Sequence, residues 1–103
     1  MKPTLREKKR YLAVAVIGSA PKHAVIKAMN TALLSYLGEY GLGEAGAFPL
    51  PETWTDKGII LRAEHDHVNE VKAALALATQ EDIIFHTKGV SGLLHKAKAL
   101  IGG

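Results

Sequence analysis

Cysteine is missing from this chain of 103 residues, which excludes disulfides, thiolate metal sites and a cysteine nucleophile. That usage fits a reducing compartment, and a cytoplasmic protein is expected. Long apolar runs are missing as well. None approaches the roughly 20 residues needed to cross a bilayer. The charged start, Met1-Lys2-Pro3-Thr4-Leu5-Arg6-Glu7-Lys8-Lys9-Arg10, has no apolar block and cleavage site of the signal type behind it, so no membrane association is expected. The acids are scattered without a paired acid/base constellation, and there is no G-x-S-x-G elbow, Walker loop or dinucleotide glycine fingerprint. Catalysis by this chain alone is unsupported, and no cofactor is expected on it.

What is present suffices for one compact domain spanning residues 1–103, since 48% of the chain is hydrophobic. The net charge of +3 conceals an uneven layout. Residues 1–10 hold Lys2, Arg6, Lys8, Lys9 and Arg10 against Glu7, and residues 86–103 hold Lys88, Lys96 and Lys98 with no acid. Between them, five cations face nine acids. If the fold brings the ends together, they form the footprint of a nucleic-acid binder, whose affinity comes from released counterions. Two solvated basic tails are the plainer alternative.

The run Tyr11-Leu12-Ala13-Val14-Ala15-Val16-Ile17, closed by Gly18-Ser19, predicts a central strand by length and β-branching. Ser19 and Pro21 open a helix whose apolar positions, Val25, Ala28, Met29, Ala32, Leu33, Tyr36 and Leu37, recur at helical spacing until Gly38 and Gly41. Residues 43–50 read as a weak strand, residues 52–58 as a turn and residues 59–62 as a third strand. A second helix is expected over 65–79, a short last strand over 83–86, and a basic helix from about Ser91. The order β-α-β-β-α-β with an appended helix is the α+β, ferredoxin-like arrangement, a four-stranded antiparallel sheet with two helices on one face.

Strand parity then sorts the side chains. If Leu12, Val14 and Val16 face the helices with Ile59 and Leu61, then Tyr11, Ala13, Ala15, Ile60, Arg62, Ile84 and His86 line the other face. That face is flat and apolar, and Tyr11 is its only ring, too little for the base-stacking platform of an RNA recognition motif. A partner subunit, a second copy or the chain's own last helix should cover it. Our preference is a protein partner there, with Tyr11, Ala13, Ala15, Ile60, Arg62 and Ile84 as the interface.

The stretch Thr87-Lys88-Gly89-Val90-Ser91-Gly92, running into Leu93-Leu94-His95-Lys96-Ala97-Lys98, places glycines, a hydroxyl and cations where a strand is expected to become a helix. Free amides at a helix start favour an anion, glycines admit a backbone, and Ser91 can cap. An ordinary capped helix has the same layout. His65-Asp66-His67 suggests a metal, but i and i+2 diverge on a helix and no third ligand is near, so solvated residues opening a helix are the better reading. Trp54 is either a satellite core residue or an interface anchor.

With these residues in place, the chain resembles the archaeal ribonuclease P protein component 2 family, the counterpart of the small Pop-type subunit of the eukaryotic enzyme. The resemblance is carried by residues 3–11, by Gly58-Ile59-Ile60-Leu61-Arg62-Ala63, by the helix with Val68, Ala74, Leu75 and Leu77, and by Thr87 to Gly92. It is loosest over residues 38–57 and does not extend to a longer basic tail after Lys98. It implies an RNA-binding, non-catalytic subunit of the ribonucleoprotein that removes the 5′ leader from precursor tRNA, with Mg2+ used by the RNA. It also implies pairing with the TIM-barrel protein component 3, two copies of each forming a heterotetramer. Arg6, Lys8, Lys9, Arg10, Lys88, Ser91, His95, Lys96 and Lys98 are then expected on RNA phosphates, with Gly89 and Gly92 admitting the backbone. A small-molecule regulatory module of the same fold is the alternative. A phosphate-ester enzyme would need an Arg in Gly18-Ser19-Ala20-Pro21, and that loop has none.

Overall fold

A computed structural model describes residues 9–78 and 83–102. Its elements are β1 (Lys9–Ile17), α1 (Lys22–Ala45), β2 (Phe48–Thr55), β3 (Gly58–Glu64), a 3-10 turn (His65–His67), α2 (Val68–Ala76), β4 (Ile84–Ser91) and α3 (Leu94–Gly102). The four strands form an antiparallel sheet in the order β2-β3-β1-β4, the ferredoxin-like arrangement expected from the element order. Among the described residues no helix is long and apolar enough to cross a membrane.

Parity divides the molecule into two cores. Leu12, Val14, Ile59, Leu61 and Phe85 pack under α1 and α2 against Val25, Met29, Leu33, Val71 and Leu75. On the opposite face, Ala13 and Ile60 are closed over by Ala97 and Ile101 of α3, with Tyr11, Leu50 and Leu94 at the margin. That face is therefore covered by the chain's own last helix over much of its area. Removing a large aliphatic side chain from water contributes about 1.5–3 kcal/mol, enough to hold a helix of nine residues that would be marginal alone.

Besides α2, which follows a 3-10 turn and occupies Val68–Ala76 of the 65–79 expected, and α3, which begins at Leu94 and not at Ser91, three boundaries differ from expectation. The helix α1 does not stop at Gly38 or Gly41. Gly38 takes φ 75°, which bends the axis, and the helix resumes to Ala45 because Leu42 and Ala45 still find the core. The weak strand expected over 43–50 accordingly begins only at Phe48. Second, β2 continues through Glu52 and Trp54 to Thr55, leaving only Asp56 and Lys57 as the turn. Pro49 and Pro51 are tolerated because β2 is an edge strand. Its register slips between Leu50 and Thr55, and Thr53 fills the gap: its hydroxyl accepts from the Ile60 N–H at 2.9 Å and donates to the Leu50 carbonyl at 2.7 Å. Third, β4 runs on to Ser91 instead of ending near His86. Ala13 faces Gly89 while the next residue, Val14, faces Thr87. Lys88 is thus the extra residue of a bulge, and the bulge breaks the alternation that would have marked the strand.

Gly58 opens β3 opposite Ala15. A Cβ there would lie 2.3 Å from the Val14 carbonyl oxygen, so the two central strands meet this closely only over a glycine.

Candidate nucleic-acid interface

The antiparallel β1–β4 ladder decides where the basic ends go. Tyr11 faces Ser91, so Lys9 and Arg10, at the start of β1, lie beside the end of β4 and the approach to α3. The Arg10 guanidinium donates from Nη1 to the Lys9 carbonyl oxygen at 2.9 Å, and the same nitrogen stands 3.6 Å from where a side chain on Gly92 would begin. Lys9 and Arg10 thus stand at the end of the sheet where β4 gives way to α3, while Lys88 lies further along the same ladder, beside Ala13 and Val14. Arg6 and Lys8 lie outside the described residues.

Around Arg10, the other expected groups fall into place unequally. Ser91 accepts from the Leu93 N–H at 3.0 Å, fixing the bend that launches α3. The bond from the Ala97 N–H to the Leu93 carbonyl at 3.2 Å starts the helix, so the amides of Leu94, His95 and Lys96 precede any intrahelical acceptor. There is no acid in that first turn, and the helix end is favourable to an anion. His95, Lys96 and Lys98 are exposed on α3, and Lys88 is exposed at the bulge. Lys9 faces Glu64 across the β1–β3 ladder. Gly92 is exposed and open to a backbone.

Gly89 requires correction. It is a strand residue and not part of a loop, and a Cβ on it would meet Leu100 Cδ1 at 2.7 Å. Its bare side receives α3, so the glycine serves helix packing and not the approach of a phosphate.

The expected protein face is corrected in part. Ala13 and Ile60 are fully buried beneath α3 and present nothing to a partner. Arg62 is turned inward: Nη1 donates to the Gly46 carbonyl at 3.2 Å, Nη2 pairs with Glu64 at 3.7 Å, and the guanidinium lies 5.0 Å from the Phe48 ring centroid. Tyr11 is half-buried at the margin of α3. What stays open is the far end of the face, with Ile17 55% and Ile84 61% exposed beside half-buried Ala15 and exposed His86. Of the three covers expected for this face, the chain's own last helix is the one observed, through Leu94, Ala97 and Ile101 at spacing i, i+3, i+7, and not the protein partner preferred there.

His65 and His67 open α2 through the 3-10 turn, as expected for solvated residues. His67 Nδ1 lies 2.6 Å from Glu70 Oε1, and this hydrogen bond raises the imidazole above its ordinary value of 6.5. Trp54 is half-buried against the main core and also lines a cavity at the end of the sheet away from Arg10.

The arrangement can be set beside known proteins. A model of the Rpp14/Pop5 family matches residues 10–101. This chain belongs to that family. Members similar to it include proteins named ribonuclease P protein component 2: that of Thermococcus kodakarensis is 38% identical over 93% of this chain and 84% of its own length. The Thermococcus gammatolerans protein is 40% identical over the same shares, and that of Methanocaldococcus jannaschii is 35% identical over 93% of this chain and 74% of its own. The matched range, residues 10–101, includes both Arg10 and Gly92.

Proposed function

We propose that this Rpp14/Pop5 protein is an RNA-binding subunit of ribonuclease P, the ribonucleoprotein that cleaves the 5′ leader from precursor tRNA. The observation that supports the reading is the approach of Arg10 to Gly92, which sets a cation of the N-terminal segment beside the start of the basic helix α3. Arg10, Lys88, Lys96 and Lys98, with His95 and the first amides of α3, would neutralise crowded phosphates of the catalytic RNA and lower its need for magnesium. Arg6, Lys8 and Lys9 extend the same charge along the chain. The hydrolysis and its Mg2+ belong to the RNA, and the protein is non-catalytic. Its protein partner is the TIM-barrel component 3, docked on a surface that includes the open Ile17 and Ile84 end of the sheet, with two copies of each in a heterotetramer. The setting is the cytoplasm.

Precursor-tRNA cleavage by ribonuclease P RNA and component 3, assayed at limiting magnesium with and without this chain, tests the proposal. Cleavage should rise only when the chain is present. Equal cleavage in its absence refutes the reading.

A further inference from the structure

At the opposite end of β1 from Arg10, the loop into α1 and the β2–β3 hairpin flank an open cavity of about 380 Å³ lined by Val16, Gly18, Ser19, Ala20, Pro21, Trp54 and Asp56. Three features give it a chemical character. Its wall combines an indole with small residues, so a flat ring can enter beside Trp54 without displacing bulky side chains. Asp56 offers acceptor oxygens, which suit the N–H groups of a base or a ribose hydroxyl and not a phosphate. Lys22 and Lys57, both exposed, adjoin the lining at Pro21 and Asp56, where a phosphate just outside the cavity would lie. The volume falls within the roughly 300–1,000 Å³ of small-ligand sites.

Two other grooves among the described residues lack this combination. The cleft between α1 and α2 has a ring, Tyr36, but only about 190 Å³. The groove along α1 at Ile26 and Leu34 has about 460 Å³, and its ring is the smaller His23 imidazole, with no carboxylate in the lining.

We propose that the Trp54 cavity takes one unpaired nucleotide of RNA, its base held against the indole, as a second point of attachment roughly 20 Å along β1 from Arg10. This inference rests on the RNA-subunit reading above. A base stacked on an aromatic side chain binds with little sequence preference, which suits a protein whose other contacts are to phosphates. The site would therefore recognise a flipped-out or single-stranded residue and not a duplex.

Trp54 is the only tryptophan in the chain, so tryptophan emission comes from this one side chain, in the cavity wall and against the core. The full chain is titrated with single-stranded pentaadenylate while binding is followed independently by anisotropy of labelled RNA. Saturable quenching of Trp54 in step with binding is expected. Trp54→Leu, which keeps an apolar group on the core, should bind pentaadenylate about tenfold more weakly, and Trp54→Phe should stay within about threefold of the parent; circular dichroism and melting verify that both fold. Unchanged emission at saturating pentaadenylate, or a Leu variant that binds like the parent, overturns the site. Emission that responds to component 3 but not to pentaadenylate also overturns it, giving the cavity to protein. Ribonuclease P RNA that binds while Trp54 stays silent overturns the cavity alone, whereas failure of every RNA to bind overturns the subunit reading with it.

Discussion

Arg10 stands so close to Gly92 that a methyl group added to the glycine would lie 3.6 Å from the guanidinium nitrogen, an ordinary contact that costs the fold nothing. A carboxylate there is another matter. Gly92→Asp places an acid beside Arg10, where it can pair with the cation and repel a phosphate, while the exposed position leaves packing alone. Ribonuclease P RNA should bind this variant about tenfold more weakly at low salt, with the slope of log affinity against log salt reduced by about one contact. Gly92→Ala should melt like the parent and lose less RNA affinity than Gly92→Asp, without the change in salt slope. Lys88→Gln and Lys96→Gln should each flatten the same salt slope without altering the melting temperature, and filter binding across a salt series reads all of these.

The second core predicts a different signature for α3. Ile101 is buried against Ala13 and Ile60, and Ile101→Ala should cost about 2–4 kcal/mol in a urea titration. Because α3 also presents His95, Lys96 and Lys98, RNA affinity should fall together with stability. A dye that senses exposed apolar surface should bind the variant more than the parent, since loosening α3 uncovers Ile60. Loss of RNA affinity with no loss of stability would contradict this coupling.

How far the sequence spoke depends on which signal each element used. β1 and β3 declared themselves by apolar runs, and their parity assigned Leu12 and Val14 to one face and Ala13 and Ile60 to the other, as found. The end of β4 was hidden because the Lys88 bulge interrupts the period of two, and Gly89 and Gly92 then look like loop residues. The end of α1 was misplaced because a glycine is a stop signal only when the chain beyond it has nothing to bury, and Leu42 and Ala45 do. The approach of Arg10 to Gly92 followed from topology alone, since β1 and β4 are antiparallel neighbours. The capture of Arg62 was not legible, because its acceptor is the Gly46 carbonyl, set by where α1 finally terminates.

Thr53 offers a test of the β2 irregularity. Its hydroxyl serves a backbone donor on Ile60 and a backbone acceptor on Leu50, and the side chain is 5% exposed. Thr53→Val has nearly the same shape but abandons both partners, at about 1–3 kcal/mol. Thr53→Ser retains the hydroxyl and should recover most of the loss. If Val and Ser variants unfold at the same denaturant concentration, the hydroxyl does not hold the edge strand.

His67 gives the fold a pH dependence whose sign can be stated. The short hydrogen bond to Glu70 raises the imidazole above 6.5; slight burial opposes it, and the charges of Glu70, Asp66 and Glu44 add to the rise. The folded chain therefore keeps this proton at a pH where the unfolded chain has lost it. The resulting stabilisation is fully present below 6.5, the unfolded value, and disappears as pH rises through the higher folded value. Glu70→Gln removes the charge and much of the rise, so the gap in denaturant midpoint between parent and variant should be wider at pH 5.5 than at pH 8.5. An NMR titration of the ring supplies the direct check: His67 should titrate above 6.5 in the parent and move back toward it in the variant. Although Glu64, just before this turn, faces Lys9 across the ladder, neither His67 nor Glu70 is among the groups assigned to phosphates, so RNA affinity of Glu70→Gln measured at pH 8.5 should match that of the parent. A fall in affinity there would mean that the α2 start also takes part in RNA binding.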